Sequence, residues 1–144
     1  MTRVLCIGCG NTLRGDDGAG VRVVERLRQE LPGSRCLAVQ QLTVDLAEEL
    51  SEADIVLVID AAVDVQDVTT RLVQVPEGPG QPRSHFETPE SLLLMARELY
   101  QRIPLRFYTI RIPAVTFDFS EQLSPVTAAA LDRTVDVIKR LVSV

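Results

Sequence analysis

Four side chains in this sequence combine a reactive type with a telling position: Asp16, Asp17, Asp60 and His85. Asp60 follows directly on the apolar run Ile55 to Ile59. A carboxylate at the lip of a buried strand is costly to ionise without a partner; the competing reading is a turn-forming or capping aspartate. Asp16 and Asp17 stand just before a helix, where either one alone reads as an N-cap facing the positive end of the helix dipole. His85 is the only histidine, and a lone loop histidine is ordinarily a solvated surface residue. Taken together, Asp17, Asp60 and His85 form an O/O/N set suited to a divalent ion that keeps open coordination positions. Such an ion polarises a carbonyl or makes a bound water nucleophilic.

The elements that must position these groups are readable from periodicity. Arg3 to Cys9 is an apolar first strand, and Gly10 to Gly18 is a turn-rich loop. A helix spans about Ala19 to Leu31, with Val21, Val24, Leu27 and Leu31 on its apolar face, and Pro32-Gly33 ends it. Arg35 to Gln41 is a second strand. A second helix runs from about Thr43 to Ala53, with Leu42, Leu46 and Leu50 as its stripe. The continuous apolar segment within Asp54 to Ala62 suits a parallel strand covered on both faces. Thr69 to Val75 follows too closely for a crossover helix, which predicts an antiparallel edge strand. Pro76 to Pro89 holds four prolines and two glycines, so it reads as a long loop carrying His85. Thr88 caps a helix from Pro89 to about Tyr100. Leu105 to Ile112 is the last strand, and Ser124-Pro125 opens a terminal helix with Leu131, Val135, Ile138 and Val142 along its seam.

This order predicts an α/β fold in one domain, residues 1–144, with a mainly parallel sheet flanked by helices on both faces. The first and third strands are expected to be neighbours, so Asp17 and Asp60 fall at adjacent C-terminal strand ends, where open α/β sheets bind ligands. Composition narrows the classes further. A net charge of -5 without a basic cluster argues against a nucleic-acid partner. No apolar run approaches the roughly 20 residues of a membrane span, and the N-terminal apolar stretch is too short for a signal peptide, so the cytoplasm is the expected location. Three cysteines do not make a disulfide framework. Cys6 and Cys9 spell C-x-x-C inside a strand and read as buried, reduced thiols. Gly8-Cys9-Gly10 starts like a dinucleotide fingerprint, but Leu13 holds the third glycine position and two acids crowd the loop, which disfavours nucleotide binding.

The segment Val4 to Glu25, VLCIGCGNTLRGDDGAGVRVVE, resembles the nickel–iron hydrogenase maturation protease family. Its pattern is a strand, then G-x-G-N-x-L-x-x-D-D/E-x-x-G, then an amphipathic helix. VLVIDAA around Asp60, the Ser84-His85 pair before a helix and Leu123-Ser124-Pro125 agree in order and spacing. The resemblance implies a three-layer sandwich around a twisted five-stranded sheet, and an aspartic-type endopeptidase. It implies that the enzyme removes the C-terminal extension of the hydrogenase large-subunit precursor after nickel insertion. The metal-binding residues would be Asp17, Asp60 and His85, with Asp17 and Asp60 also the catalytic candidates. Nickel would arrive with the substrate, with no permanent cofactor, and the enzyme would act as a monomer. Nickel as Lewis acid or a carboxylate as general base would activate the water. A non-catalytic nickel chaperone of the same pathway is the alternative. The chain departs from the family pattern at Gln40-Gln41-Leu42-Thr43, where many members have Gly-Gly or Gly-Thr, and after Pro113, where Ala114 replaces a glutamate. These departures resemble the branch that processes cytoplasmic, NAD-coupled bidirectional hydrogenases.

Overall fold

A computed structural model describes residues 1–76 and 87–143. The strands are β1 (Val4–Cys9), β2 (Arg35–Val39), β3 (Ile55–Ala62), β4 (Thr69–Leu72) and β5 (Arg106–Pro113). The helices are α1 (Ala19–Glu30), α2 (Leu46–Ser51), α3 (Pro89–Tyr100) and α4 (Pro125–Val142), and a 3-10 turn at Gly15–Gly18 leads into α1. The strands form one sheet in the order β2-β1-β3-β5-β4. All neighbours are parallel except β4, which lies antiparallel to β5 at the edge. That is the arrangement expected from a connection too short for a crossover.

Strand alternation divides the core in two. Leu5, Ile7, Val56, Val58 and Phe107 pack with α2 and α3 on one face. Cys6, Leu57, Ile59, Ile110 and Ile112 pack with α1 and α4 on the other. The sheet is therefore the middle of three layers. The order in which strands are added along the sheet reverses at β1, with β2 on one side and β3 on the other. The crevice beyond the C-terminal ends of β1 and β3 is thus the switch point of the fold.

The buried stripe of α1 differs from the expected one. It comprises Gly20, Val23, Val24 and Leu27, while Val21 lies half-exposed and Leu31 outside the helix. The cause is a close backbone contact. A Cβ on Gly20 would strike the Ile59 carbonyl oxygen, and one on Gly8 would strike the Gly20 carbonyl oxygen. Two bare glycines let the first turn of α1 lie directly on β1 and β3, which turns the 20/23/24/27 face to the sheet. Gly20→Ala should lower stability by about 2 kcal/mol in urea unfolding, because overpacking against backbone outweighs the helix-propensity gain of alanine. An unchanged unfolding midpoint would refute that contact.

Two other helices also differ from expectation. The second helix starts at Leu46 rather than Thr43. The Thr43 hydroxyl bonds the Asp45 carboxylate, and Leu46 N–H closes a turn on the Thr43 carbonyl at 3.0 Å, so these residues form the entry turn instead. In α4, Val135 and Ile138 are buried as expected, but the rest of the seam is Thr127, Ala130 and Thr134. Both threonines can be buried because their hydroxyls donate to the Pro113 and Ala130 carbonyls at 2.7 and 2.8 Å. Helix α3 begins as the sequence indicates: Thr88 and Ser91 form a reciprocal capping box ahead of the N-terminal turn.

Candidate functional site

The loop after β1 does not use its two aspartates as helix caps. Gly18 occupies the N-cap of α1, without a side-chain bond. Asp16 is fully buried and turns inward. Its carboxylate accepts the Val115, Thr116 and Ser124 backbone N–H groups at 2.8, 3.2 and 2.7 Å, and the Ser124 hydroxyl at 2.8 Å. Those donors hold the carboxyl below its ordinary range against the opposing effect of burial, which is the largest single influence on it. Ser124 in turn caps α4, accepting from Thr127 N–H at 3.3 Å. Asp16 therefore fastens the loop after β1 to the loop after β5 and to the start of α4. Its role is structural.

Asp17 faces the other way. It is half-buried, and its Oδ2 accepts a hydrogen bond from Asn11 N–H at 2.9 Å, while Asn11 Oδ1 accepts from Leu13 N–H at 2.9 Å. Gly10 stands at φ +135°, and a Cβ there would collide with the Asp17 carbonyl oxygen. Only glycine lets the loop fold so tightly that Asp17 returns to the end of β1. Asp17 lines a hollow of roughly 330 Å³ with Asn11, Arg14, Gln40, Gln41 and Phe117.

Asp60 does not end its strand. β3 continues to Ala62, in register with β5 through Asp60↔Arg111 and Ala61↔Ile112. The residue as a whole is open to solvent, yet protein crowds its carboxyl from behind. That burial pushes the group from 3.8 up to about 6; the negative charge of Asp17 adds to the rise, while the Ala61 N–H and the Arg111 cation oppose it. The Ala61 N–H donates to Asp60 Oδ1 at 2.8 Å. Asp60 lines a cleft of roughly 400 Å³ that includes Cys9, Gln41, Thr109 and Arg111. Gln40 and Gln41 border both hollows, so the Asp17 and Asp60 sites are two parts of one depression at the switch point.

Cys9 reports the same convergence from below. It is buried beneath the cleft, and its thiol is pushed up to about 12, first by burial and then by the charges of Asp60 and Asp17. A thiol held this firmly in its protonated form is a poor nucleophile or metal ligand. Three residues apart on a strand, Cys6 and Cys9 point to opposite faces of the sheet, so the C-x-x-C spelling is not a pair in space.

Asp17 and Asp60 thus share one depression, and the charge of Asp17 reaches Asp60, as two carboxylate oxygen donors for a hard or borderline cation. His85 lies outside the described residues. Among the described residues there is no cluster of three or more potential ligands. Sequence reading missed Arg111, whose guanidinium flanks Asp60 and bonds Asp64 at 2.6 Å. The signal was an arginine inside the otherwise apolar end of β5, but only the β3–β5 register shows which carboxylate it stands beside. The first departure noted in the sequence borders the site, with Gln40 and Gln41 along both hollows; Ala114 lines neither, but Phe117, three residues further on, lines the Asp17 hollow.

No protein-family model and no curated protein matches this sequence. Solved structures do match. The Escherichia coli hydrogenase maturating endopeptidase HybD superposes with a TM-score of 0.74 at 18% identity, covering 95% of this chain and 90% of that one. A hydrogenase 2 maturation peptidase from a Thaumarchaeota archaeon gives 0.73 at 24% identity, covering 99% of each chain. The nickel–iron hydrogenase maturation protease HycI from Thermococcus kodakarensis gives 0.72 at 20% identity, over 99% of this chain and 94% of that one. The fold is that of the hydrogenase maturation proteases. Among the described residues the sheet has five strands, mainly parallel, with one antiparallel strand at its edge. Among the described residues, no helix is long and apolar enough to cross a membrane.

Proposed function

We propose that this chain is a hydrogenase maturation endopeptidase that removes the C-terminal extension of the nickel–iron hydrogenase large-subunit precursor. The observation that carries this reading is the pair of carboxylates, Asp17 and Asp60, in one depression at the switch point of a maturation-protease fold, with Asp60 raised in part by the charge of Asp17. In this reading the nickel is part of the substrate. Asp17 and Asp60 take open positions on it, and the peptide tethered to the metal is thereby placed against the cleft. His85 is the proposed third ligand. Arg111 keeps Asp60 from rising further, so that it ionises near neutrality. Cys9 fills the floor as a neutral thiol that does not compete for the metal.

The water is activated by one of two routes that use the same residues: polarisation by the cation or proton abstraction by a carboxylate. Both require Asp60 in its ionised form. The free protein holds Asp60 protonated up to about pH 6, well above its ordinary 3.8. Cleavage measured as kcat/KM should therefore rise with pH in a step centred at about 6 and level off on its alkaline side. A rise centred near 4 would show that Asp60 is not the titrating group. The rim formed by Gln40, Gln41 and Phe117 is the proposed determinant of which precursor is accepted, with that of a cytoplasmic, NAD-coupled bidirectional hydrogenase as the candidate.

A further inference from the structure

The third cysteine makes a pairing that the cleft does not use. Cys36 lies on β2, the edge strand, and Cys6 on β1 beside it; the parallel register sets Cys6 directly opposite Cys36. Both side chains belong to the α1/α4 side of the sheet. Directly paired residues on neighbouring strands stand about 4.8 Å apart, within the 4.4–6.8 Å Cα range of disulfides. The two thiols have different surroundings. Cys6 is completely buried, whereas Cys36 is half-exposed on the sheet edge. Cys36 Sγ lies 3.4 Å from the Ser34 hydroxyl, and Arg28 reaches the Cys36 carbonyl at 3.4 Å, bringing a cation to the same corner. The neighbouring Cys6 thiol, Ser34 and Arg28 all favour the Cys36 thiolate, in that order, against the opposing effect of burial, while Cys6 is held protonated.

We propose that Cys36 and Cys6 form a reversible dithiol–disulfide site, with Cys36 the peroxide-reactive thiol and Cys6 the resolving one. The oxidant is a hydroperoxide. The Cys36 thiolate attacks one peroxide oxygen and the O–O bond breaks, giving the Cys36 sulfenic acid and hydroxide, which takes a proton to become water. The Cys6 sulfur then attacks the sulfenic sulfur. An S–S bond forms, the S–O bond breaks, and the departing hydroxide combines with the Cys6 proton as a second water. Two thiols lose two electrons and two protons; one hydrogen peroxide becomes two waters. The site is independent of the peptidase reading. It sits at the start of β2, the strand that leads to Gln40 and Gln41, so the bond would fasten that rim-bearing strand to β1.

The test uses the folded, fully reduced protein treated with hydrogen peroxide and read by intact mass and non-reducing peptide mapping. The expected product has lost two hydrogen masses, carries a Cys6–Cys36 linked peptide and retains one free thiol, that of Cys9. In Cys6→Ala the expected product is a Cys36 sulfenic acid, trapped by dimedone. Cys36→Ser should keep both remaining thiols free under the same exposure. Because the wild-type peptide map decides by itself, a variant that folds poorly does not blur the result. Three free thiols after treatment, a link to Cys9, or oxygen addition without the S–S bond would overturn the proposal.

Discussion

Asp60→Asn should make the protein more stable and catalytically inert at the same time. The sign follows from the direction of the shift. The folded-state carboxyl is raised from 3.8 to about 6, so the folded protein favours the protonated form. The stabilisation linked to that proton is fully present below about 3.8 and is lost as pH rises through about 6. Above that, an ionised Asp60 held against protein and beside Asp17 opposes folding. Asparagine removes the charge and preserves the shape. Its melting temperature should exceed the wild type's near pH 7.5 and match it near pH 4, as read by calorimetry. Cleavage should fall by at least about 100-fold, the scale of losing a positioned carboxylate in acid–base or electrostatic work. Stability held below its optimum by a functional group is a known exchange at active sites. If Asp60→Asn melts lower than the wild type at pH 7.5, Asp60 is a structural residue and the functional reading loses its carrier.

The neighbouring aspartates should separate cleanly. Asp16→Ala removes a fully buried carboxylate that accepts four hydrogen bonds, leaving three backbone donors and the Ser124 hydroxyl without their acceptor. A cost of about 3–5 kcal/mol is expected, the range for breaking a buried charged network from one side. Asp16→Asn keeps one acceptor oxygen but sets an amide N–H₂ against other donors, so it should recover only part of that. Asp16 is held below its ordinary value in the folded state. Its contribution is therefore present above the unfolded-state pKa of about 3.9 and is lost as pH falls through the lower folded value. Asp17→Asn, by contrast, keeps an oxygen for the Asn11 N–H and should leave the urea midpoint nearly unchanged while abolishing cleavage. Equal destabilisation by Asp16→Ala and Asp17→Asn would show that the two residues are not divided between structure and site.

These contrasts show where sequence reading reached and where it stopped. Periodicity carried the neighbouring of β1 and β3 and the antiparallel edge, because Ile55 to Ile59 reads as a doubly covered strand and the short link to Thr69 left no room for a crossover; it did not place β5 between β3 and β4. It misplaced the face of α1, because the hydrophobic pattern alone does not weigh Gly20, whose missing side chain fixes the approach to β3. The Asp16-Asp17 pair was ambiguous in principle. Two adjacent carboxylates before a helix both look like caps, and only the packing of the loop after β5 shows that Asp16 is consumed by Ser124 and its neighbours. The Cys6–Cys36 pairing likewise needs strand register. The spelling C-x-x-C drew attention to Cys9, which strand parity places on the opposite face.

The most direct test of the account compares two substrates, a nickel-loaded and a nickel-free large-subunit precursor, each incubated with wild type, Asp17→Asn and Asp60→Asn and read by intact mass. C-terminal mass loss is expected only with the wild type and only from the loaded precursor. Cleavage of the loaded precursor by either variant at wild-type rate, or equal cleavage of the nickel-free form, would contradict the claim that these two carboxylates act on substrate-borne nickel.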